Sequence, residues 1–596
     1  MDSGHFTNEE RITELAKIIV GIPQVQDGEQ RMNSSIRKPG YKKTLAALIL
    51  TEKYSSIQRF IECRVDDSKL PLNSKTTTKE RLELCLRGSD FPLSCFQGWN
   101  SSDSLRFYKT QWLFVAPFFR QNPKGPVHYV LPKQAPLPFK AINKEIEANT
   151  YKNLMKGIEI RQDHTNIPSY LSQSGRLQFA LQKTDLWSTK VDFYREVAVL
   201  RRVSAYRTDH LIRLLFTLEL QDSQQQGTQP SESELFFVFP LPSGNLEGLW
   251  NNDLATERVK GNAETANFAL WVATQCRGIT EAVGMIHNAQ PGELDDNPEQ
   301  SRAQEFQDEW SGIHANIVPR TIFWFQNSHR ATHPMGLIQL GGFGQTTFYH
   351  QPSRVRVTLK KGHTRTYSPP EIELGQIISR TYDIWSLGCV FLEFISWIIL
   401  GIPKKVPFSG LDGFEMEEFS NARKKHSKSL FEMSQDTFYR LVPGEERTTA
   451  DINPAVIERV QALHSHKDCT QFLHDFLDLV LYEMLVVEDR PLASDISSSE
   501  GQHASVQNIP PTAKDKGKTS ETVVAQKRLT SLEVVSRLDE LIKRGLNDPK
   551  NLFFTEGRPK KNWFQKYTKV LQLSAVTVEQ PLELLQQNSR SPWIGG

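Results

Sequence analysis

Cys389, His314 and Asp383 supply a thiol, an imidazole and a carboxylate, the side-chain types from which a nucleophilic site is assembled. Their surroundings argue against that chemistry. Cys389 falls inside the apolar helix opened by Asp383-Ile384-Trp385-Ser386-Leu387-Gly388, so it reads as core, and His314 reads as a packed residue rather than a base. The six cysteines, at 63, 85, 95, 276, 389 and 469, are scattered without a C-x-x-C pair. That pattern argues against a zinc site or a disulfide framework and fits a reducing compartment.

The elements that must position these groups follow from periodicity. Between Lys43 and Val65 the residues Leu45, Leu48, Ile49, Ile57, Phe60 and Ile61 recur at helical spacing and predict two core-facing helices. An aromatic segment follows, with Trp99, Phe107, Trp112, Phe114, Phe118 and Phe119. It is expected to pack the N-terminal helices onto the next domain. VHYVLP, LQFALQK and ELFFVFPL have strand character, and a helix carrying Phe193, Val197, Leu200 and Val203 on one face lies between the last two. From Ala266 helices dominate, beginning with the amphipathic stretch Trp271–Ile286. The most apolar run, Val390–Ile402, contains Glu393 and is too short to span a bilayer, so it predicts a buried helix.

The resulting layout is α+β. It places a mobile arm at 1–40, a helical domain at 41–126, a small strand-rich part at 127–240 and a larger helical part at 241–496 with an acidic surface insertion at 288–312. The Ser-, Thr-, Lys- and Gln-rich stretch 497–527 cannot bury enough apolar surface to order itself and predicts a disordered linker. A helix with Leu532, Val535, Leu538, Leu541 and Ile542, ended by Gly545, and a basic tail occupy 528–596. Hydrophobic content of 38%, charged content of 23% and a net charge of +2 describe an ordinary globular chain, with no global field steering it to nucleic acid or membrane. The N-terminus, MDSGHFTNEERITELAK, is too polar for a secretory signal. Cytoplasm and nucleus are both open.

Residues 366–393, TYSPPEIELGQIISRTYDIWSLGCVFLE, resemble the middle of a protein kinase C-lobe. Pro369-Pro370-Glu371 resembles the end of an activation segment, with Glu371 expected to pair with a late arginine, Arg490 or Arg528. Asp383, Trp385 and Gly388 resemble the start of the long buried helix, whose Asp bonds the backbone of the catalytic loop in the family. Phe193-Tyr194-Arg195-Glu196 resembles the αC helix with Glu196 at the ion-pairing position, and HLIRLL (210–215) resembles the lead-in to the following strand. The resemblance covers roughly Leu137 to Gly545 and implies a bilobal kinase-like fold, with a small β-rich N-lobe at 127–240 and a large helical C-lobe, preceded by the helical N-terminal domain. TLAALILTEKYSSIQRFIECRVDDSKLPL, the segment around QWLFVAPFF and the insertion before His314 together resemble a poorly characterised group of fungal kinase-like proteins.

The same register implies missing chemistry. Phosphoryl transfer needs an acidic residue to orient the acceptor, a cation on the phosphates and carboxylates for the metal. HANIVPRTIFWF, beginning at His314, puts Asn316 at the catalytic aspartate, Val318 at the phosphate-facing lysine and Thr321 at the metal-binding asparagine. Asn316 cannot act as a carboxylate base, and Val318 cannot neutralise a phosphate. Leu340-Gly341-Gly342-Phe343-Gly344 puts Gly342 at the magnesium-binding aspartate, and Phe179-Ala180-Leu181-Gln182-Lys183 puts Gln182 at the phosphate-binding lysine. Lys183, one residue on, points to the opposite strand face unless a bulge turns it toward Glu196. The stretch 146–160, with Gly157 alone, lacks the glycines of a phosphate-cradling loop.

The expectation is a pseudokinase acting as a binding scaffold or allosteric partner in intracellular signalling, without catalytic residues or a metal site and with weak ATP binding at best. Protein partners are expected, through the groove between the lobes, through the activation-segment region Phe343–Ser368, whose run SRVRVTLKKGHTRT carries Arg354, Arg356, Lys360, Lys361 and Arg365, or through the basic tail. The alternatives are an unconventional or weakly active serine/threonine kinase using Lys183 and another carboxylate, and nucleic-acid binding through RPKKNWFQKYTK (558–569).

Overall fold

The computed structural model describes residues 16, 19–20, 40–76, 82–86, 89, 91–122, 125–133, 135–148, 154–167, 177–184, 189–206, 208–221, 233–251, 262–288, 310–326, 333–350, 365–407, 415–427, 435–445, 447–488 and 527–557. These form two compact units. The first takes residues 1–146, 153–194 and 213–241, and the second takes 147–152, 195–212 and 242–596. The N-terminal helical segment and the strand-rich segment therefore belong to one unit, where the sequence suggested two domains.

In the first unit, α1 (Lys42–Leu50) and α2 (Ile57–Glu62) form where helical spacing predicts them. Leu48, Ile57 and Phe60 are buried as expected, but Ile49 is 53% exposed and faces away from the core. The segment is not purely helical: β1 (Asn73–Thr76) and β2 (Leu82–Cys85) pair antiparallel before α3 (Ser101–Gln111). Asn100 caps α3 by accepting from the Asp103 N–H at 2.7 Å. Phe60, Phe96, Trp99 and Phe107 meet edge-on or tilted at centroid separations of 5.0–6.3 Å and make the core of this segment.

The sheet of the same unit has six strands: β3 (Val127–Pro132), β4 (Phe139–Glu147), β5 (Leu154–Ile160), β6 (Gln178–Lys183), β7 (Phe216–Gln221) and β8 (Glu234–Pro240). Their spatial order is β3-β7-β8-β6-β5-β4. The outer strand β3 lies parallel to β7, while β7, β8, β6 and β5 pair antiparallel. Between β6 and β7 in sequence runs α4 (Lys190–Ser204), with Phe193, Val197, Leu200 and Val203 all buried. Phe119, from the aromatic segment, stacks on Phe216 at 4.6 Å and so joins that segment to the sheet core.

The second unit begins its new elements with β9 (Gly244–Asn245), α5 (Leu246–Trp250) and α6 (Asn262–His287), followed by β10 (Trp310–Ile313), β11 (Ile322–Phe325), β12 (Leu337–Leu340) and β13 (Thr347–His350). β12, β11 and β9 form a small sheet, and β10 pairs with β13. Residues 310–312, assigned to a surface insertion from composition, are thus strand. α7 (Thr381–Leu400) is the predicted core helix. Among the described residues it is the one helix long and apolar enough to cross a membrane, yet 83% of its apolar window is buried inside the protein.

Beyond α7 come β14 (Lys405–Pro407), β15 (Glu415–Glu417), α8 (Glu418–His426), β16 (Tyr439–Val442), β17 (Thr449–Ile452), α9 (Pro454–Ser465), α10 (Gln471–Leu479), α11 (Ser531–Leu546) and α12 (Leu552–Thr555). A capping box between Thr530 and Glu533 starts α11. Its buried face is Ser531, Val534, Leu538, Leu541 and Gly545, and Leu532 is 75% exposed, which corrects the face read from the sequence. Gly545 lies inside the helix rather than ending it. A Cβ there would stand 1.9 Å from the Phe554 ring, so its smallness admits α12. The arm at 1–39, most of the 288–312 insertion, the linker 497–526 and the tail from 558 lie outside the described residues, apart from the isolated positions given above.

Candidate functional site

The candidate loop is built from α7 upward. Asp383, fully buried in the first turn of that helix, accepts from the His314 N–H at 2.8 Å, from the Ala315 N–H at 2.9 Å and bonds His287 Nε2 at 2.9 Å. Two donors on one carboxylate hold Ala315 at φ 59°, a left-handed conformation that a non-glycine residue keeps only where its surroundings impose it. His314 is buried. Its Nε2 pairs with the Gly341 carbonyl at 3.0 Å, and its ring meets Phe343 edge-on at 5.0 Å. Burial pushes its imidazole down to about 4, so it is neutral at pH 7 and holds shape rather than moving protons.

Asn316 leads from this anchor into a short 3₁₀ turn, Pro319–Thr321. The Thr321 hydroxyl donates to the Asn316 carbonyl at 2.8 Å and the Val318 carbonyl at 3.0 Å, while the Val318 N–H donates back to it at 3.2 Å. The Asn316 amide donates to the Gly342 carbonyl at 3.2 Å, and the Gly341 N–H donates to the Thr321 carbonyl at 2.8 Å. Asn316, Val318 and Thr321 are therefore joined to Gly342, 21 residues beyond Thr321, in one hydrogen-bonded knot. Gly342 has φ 75°, and a Cβ there would lie 2.5 Å from Thr321 Cγ2. The space where a longer side chain at 342 would begin is filled by the threonine methyl.

Carboxylates around this knot are few among the described residues. Asp383 is committed to backbone donors, and Glu196, on α4, has its Oε2 3.3 Å from where a Cβ on Gly344 would stand. Glu371 pairs with Arg528 at 2.8 Å, and both are buried. Arg528 also donates to the Thr381 carbonyl at 2.9 Å and the Val486 carbonyl at 2.7 Å. Of the two arginines expected opposite Glu371, Arg528 is the partner; Arg490 lies outside the described residues. Trp385 and Gly388 are buried in α7, and a Cβ on Gly388 would stand 3.0 Å from Leu485 and 3.1 Å from Met484. Cys389 is core, and burial pushes its thiol well up, away from nucleophilic use.

Gln182 and Lys183 stand in the other unit on β6. The β6–β8 ladder runs Phe179↔Pro240 to Lys183↔Phe236 without a bulge, so Lys183 and Gln182 keep opposite faces. Lys183 is exposed, pairs with Glu234 at 3.3 Å and lies over the Phe236 ring at 5.8 Å. Gly157 sits within β5, where a Cβ would touch Lys144 and Ile142 of β4 at 3.3–3.4 Å. Of the basic run 353–366, Arg365 is described and pairs with Glu373 at 3.7 Å.

Sequence reasoning missed a cavity of about 830 Å³ within the second unit, lined among others by Val318, Arg320, Tyr367, Glu393, Arg423 and Arg459. Arg423 is buried between the Phe419 and Phe438 rings at 4.2 and 4.3 Å, and binds Asp436 at 2.6 Å and Glu393 at 3.2 Å. The Tyr367 hydroxyl donates to Glu393 at 2.8 Å, and burial pushes the Glu393 carboxyl up to about 8. A lone glutamate inside an apolar run was the available signal.

No family model matches the chain. Over 116 residues it is 34% identical to a probable myosin light chain kinase of Dictyostelium discoideum, a stretch that covers 20% of this chain and 21% of that protein. The chain thus aligns with about a fifth of that relative's length. The similarity supports a kinase-like relationship for a protein of mixed helix and strand.

Proposed function

We propose that this chain is a catalytically impaired, protein-kinase-like protein that works by binding a protein partner rather than by transferring phosphate. The succession β6, α4, β7, β8 and the anchoring of the His314 loop on Asp383 fit the bilobal kinase-like reading of the sequence. The partial identity to a kinase fits it too. One observation carries the loss of chemistry. The Thr321 methyl occupies the space beside Gly342, where the resemblance asks for two metal-binding side chains. A methyl where a carboxylate would begin leaves no carboxylate for magnesium there. The Asn316 amide is committed to the Gly342 carbonyl and has no basicity to orient an acceptor hydroxyl.

The test is a phosphotransfer assay with mixed peptides, run beside a thermal-shift titration of ATP with and without magnesium. We expect no transfer and no magnesium-dependent shift. Magnesium-dependent labelling of a peptide, abolished by Lys183→Ala, would overturn the reading and establish the enzyme alternative. Proximity labelling in the native cell then identifies the partner.

A further inference from the structure

We propose that His464, Cys469 and His474 form a zinc-binding site, independent of the loop described above and of the proposed function. The three side chains are 0–1% exposed, and one ligand atom from each lies within 4.8 Å of the others. Among the described residues this is the one such cluster of three histidine, cysteine or acidic groups. The turn between α9 and α10 builds it. His464 is in the last turn of α9, Cys469 immediately precedes the N-cap Thr470, and His474 is one turn into α10.

The donor atoms lie within reach of one ion. His464 Nδ1 lies 2.8 Å from His474 Nδ1, and Cys469 Sγ lies 3.4 Å from the same His474 nitrogen. Zinc bonds of roughly 2.0–2.1 Å to nitrogen and 2.3 Å to sulfur set tetrahedral ligand atoms about 3.3–3.6 Å apart. The sulfur–nitrogen distance already fits; the two imidazoles, parallel within 3° with centroids 5.1 Å apart, face each other through Nδ1 and must turn as well as open by about half an ångström to share a tetrahedral ion. Two facing Nδ1 atoms at hydrogen-bond distance share one proton, which a divalent ion binding both nitrogens would displace once the rings have turned.

A carboxylate stands on the far side of His464. The far nitrogen of His464, Nε2, lies 3.4 Å from Asp478 Oδ1. A carboxylate behind a ligating imidazole fixes its orientation and raises its basicity. Mixed nitrogen and thiolate donors in a dry setting favour zinc over magnesium or calcium. The site also has a structural load to carry. A Cβ on Gly557 would stand 1.8 Å from the Cys469 carbonyl, and the Gln471 N–H donates to the Glu556 carbonyl at 2.8 Å. The ion would therefore tie α9 to α10 beside the point where the segment after α12 packs.

Full-length protein purified without a metal-binding tag should carry close to one zinc per chain by plasma mass spectrometry. Cys469→Ser and His474→Asn should each lower that at least tenfold, while Cys276→Ser, a buried thiol elsewhere, leaves it unchanged. Because the variants can fail to fold, the wild type is also stripped with a chelator and titrated with cobalt(II). The expected signature is a thiolate-to-cobalt charge-transfer band saturating at one equivalent. Wild-type protein with under a tenth of an equivalent of zinc and no thiolate–cobalt band overturns the site, as does zinc retained in full by both folded variants.

Discussion

Thr321 Cγ2 stands 2.5 Å from the point a Cβ on Gly342 would occupy, so these two residues, 21 apart in sequence, have been fitted to each other. Gly342→Asp, which would put a carboxylate where the kinase resemblance expects one, meets that methyl at a position with φ 75°. Overpacking together with a left-handed backbone should cost about 2 kcal/mol or more. Adding Thr321→Ser, which keeps the hydroxyl and removes the methyl, should recover part of it. Urea denaturation of the two variants checks this, and equal stability of Gly342→Asp and wild type would contradict it.

Asp383 anchors the same loop through two backbone N–H groups and His287. Asp383→Asn keeps the shape but replaces one acceptor oxygen with a donor, leaving a buried N–H facing an N–H. A loss of about 2–3 kcal/mol is expected, seen as a Tm lower by several degrees. A variant melting with the wild type would show that the loop does not depend on this carboxylate.

The Glu371–Arg528 pair is buried, whereas Arg537–Glu483 is half-exposed on α11. Removing one buried partner strands a charge without solvent, so Arg528→Met should cost about 3–5 kcal/mol. Arg537→Met should cost under about 1 kcal/mol. Guanidinium denaturation of both distinguishes a structural pair from a surface one, and similar values for the two would refute the distinction.

His314 contributes a pH dependence of known sign. Burial holds its folded pKa near 4, below the ordinary imidazole value of 6.5. Between those values the unfolded chain takes up a proton that the folded chain does not, so stability falls as pH drops from 6.5 toward 4 and levels off below it. The full effect is on the order of 3 kcal/mol. Denaturation midpoints across this window should flatten in His314→Asn, and an unchanged slope would assign the dependence to other groups.

Local patterns made much of the fold legible. The run from Asp383 to Leu400 combines length with continuous apolarity, and it is the buried helix α7. Phe193, Val197, Leu200 and Val203 repeat at helical spacing and are all buried, because a periodic apolar stripe has one low-energy way to leave water. Residue identity alone also excluded a carboxylate at 316 and 342. Where two stripes compete, periodicity misleads: Leu532 and Ile49 belong to apolar patterns yet face solvent, since the neighbours decide which stripe is covered.

What tertiary structure alone decided are the meetings across long sequence separations. It selected Arg528 as the partner of Glu371, placed the Thr321 methyl over Gly342 and, over a shorter span, gathered His464, Cys469 and His474 within 4.8 Å. Composition and spacing report which side chains a chain owns and which helix or strand face they share. Whether two of them touch depends on how turns and packed helices close in space, and no local pattern encodes that geometry.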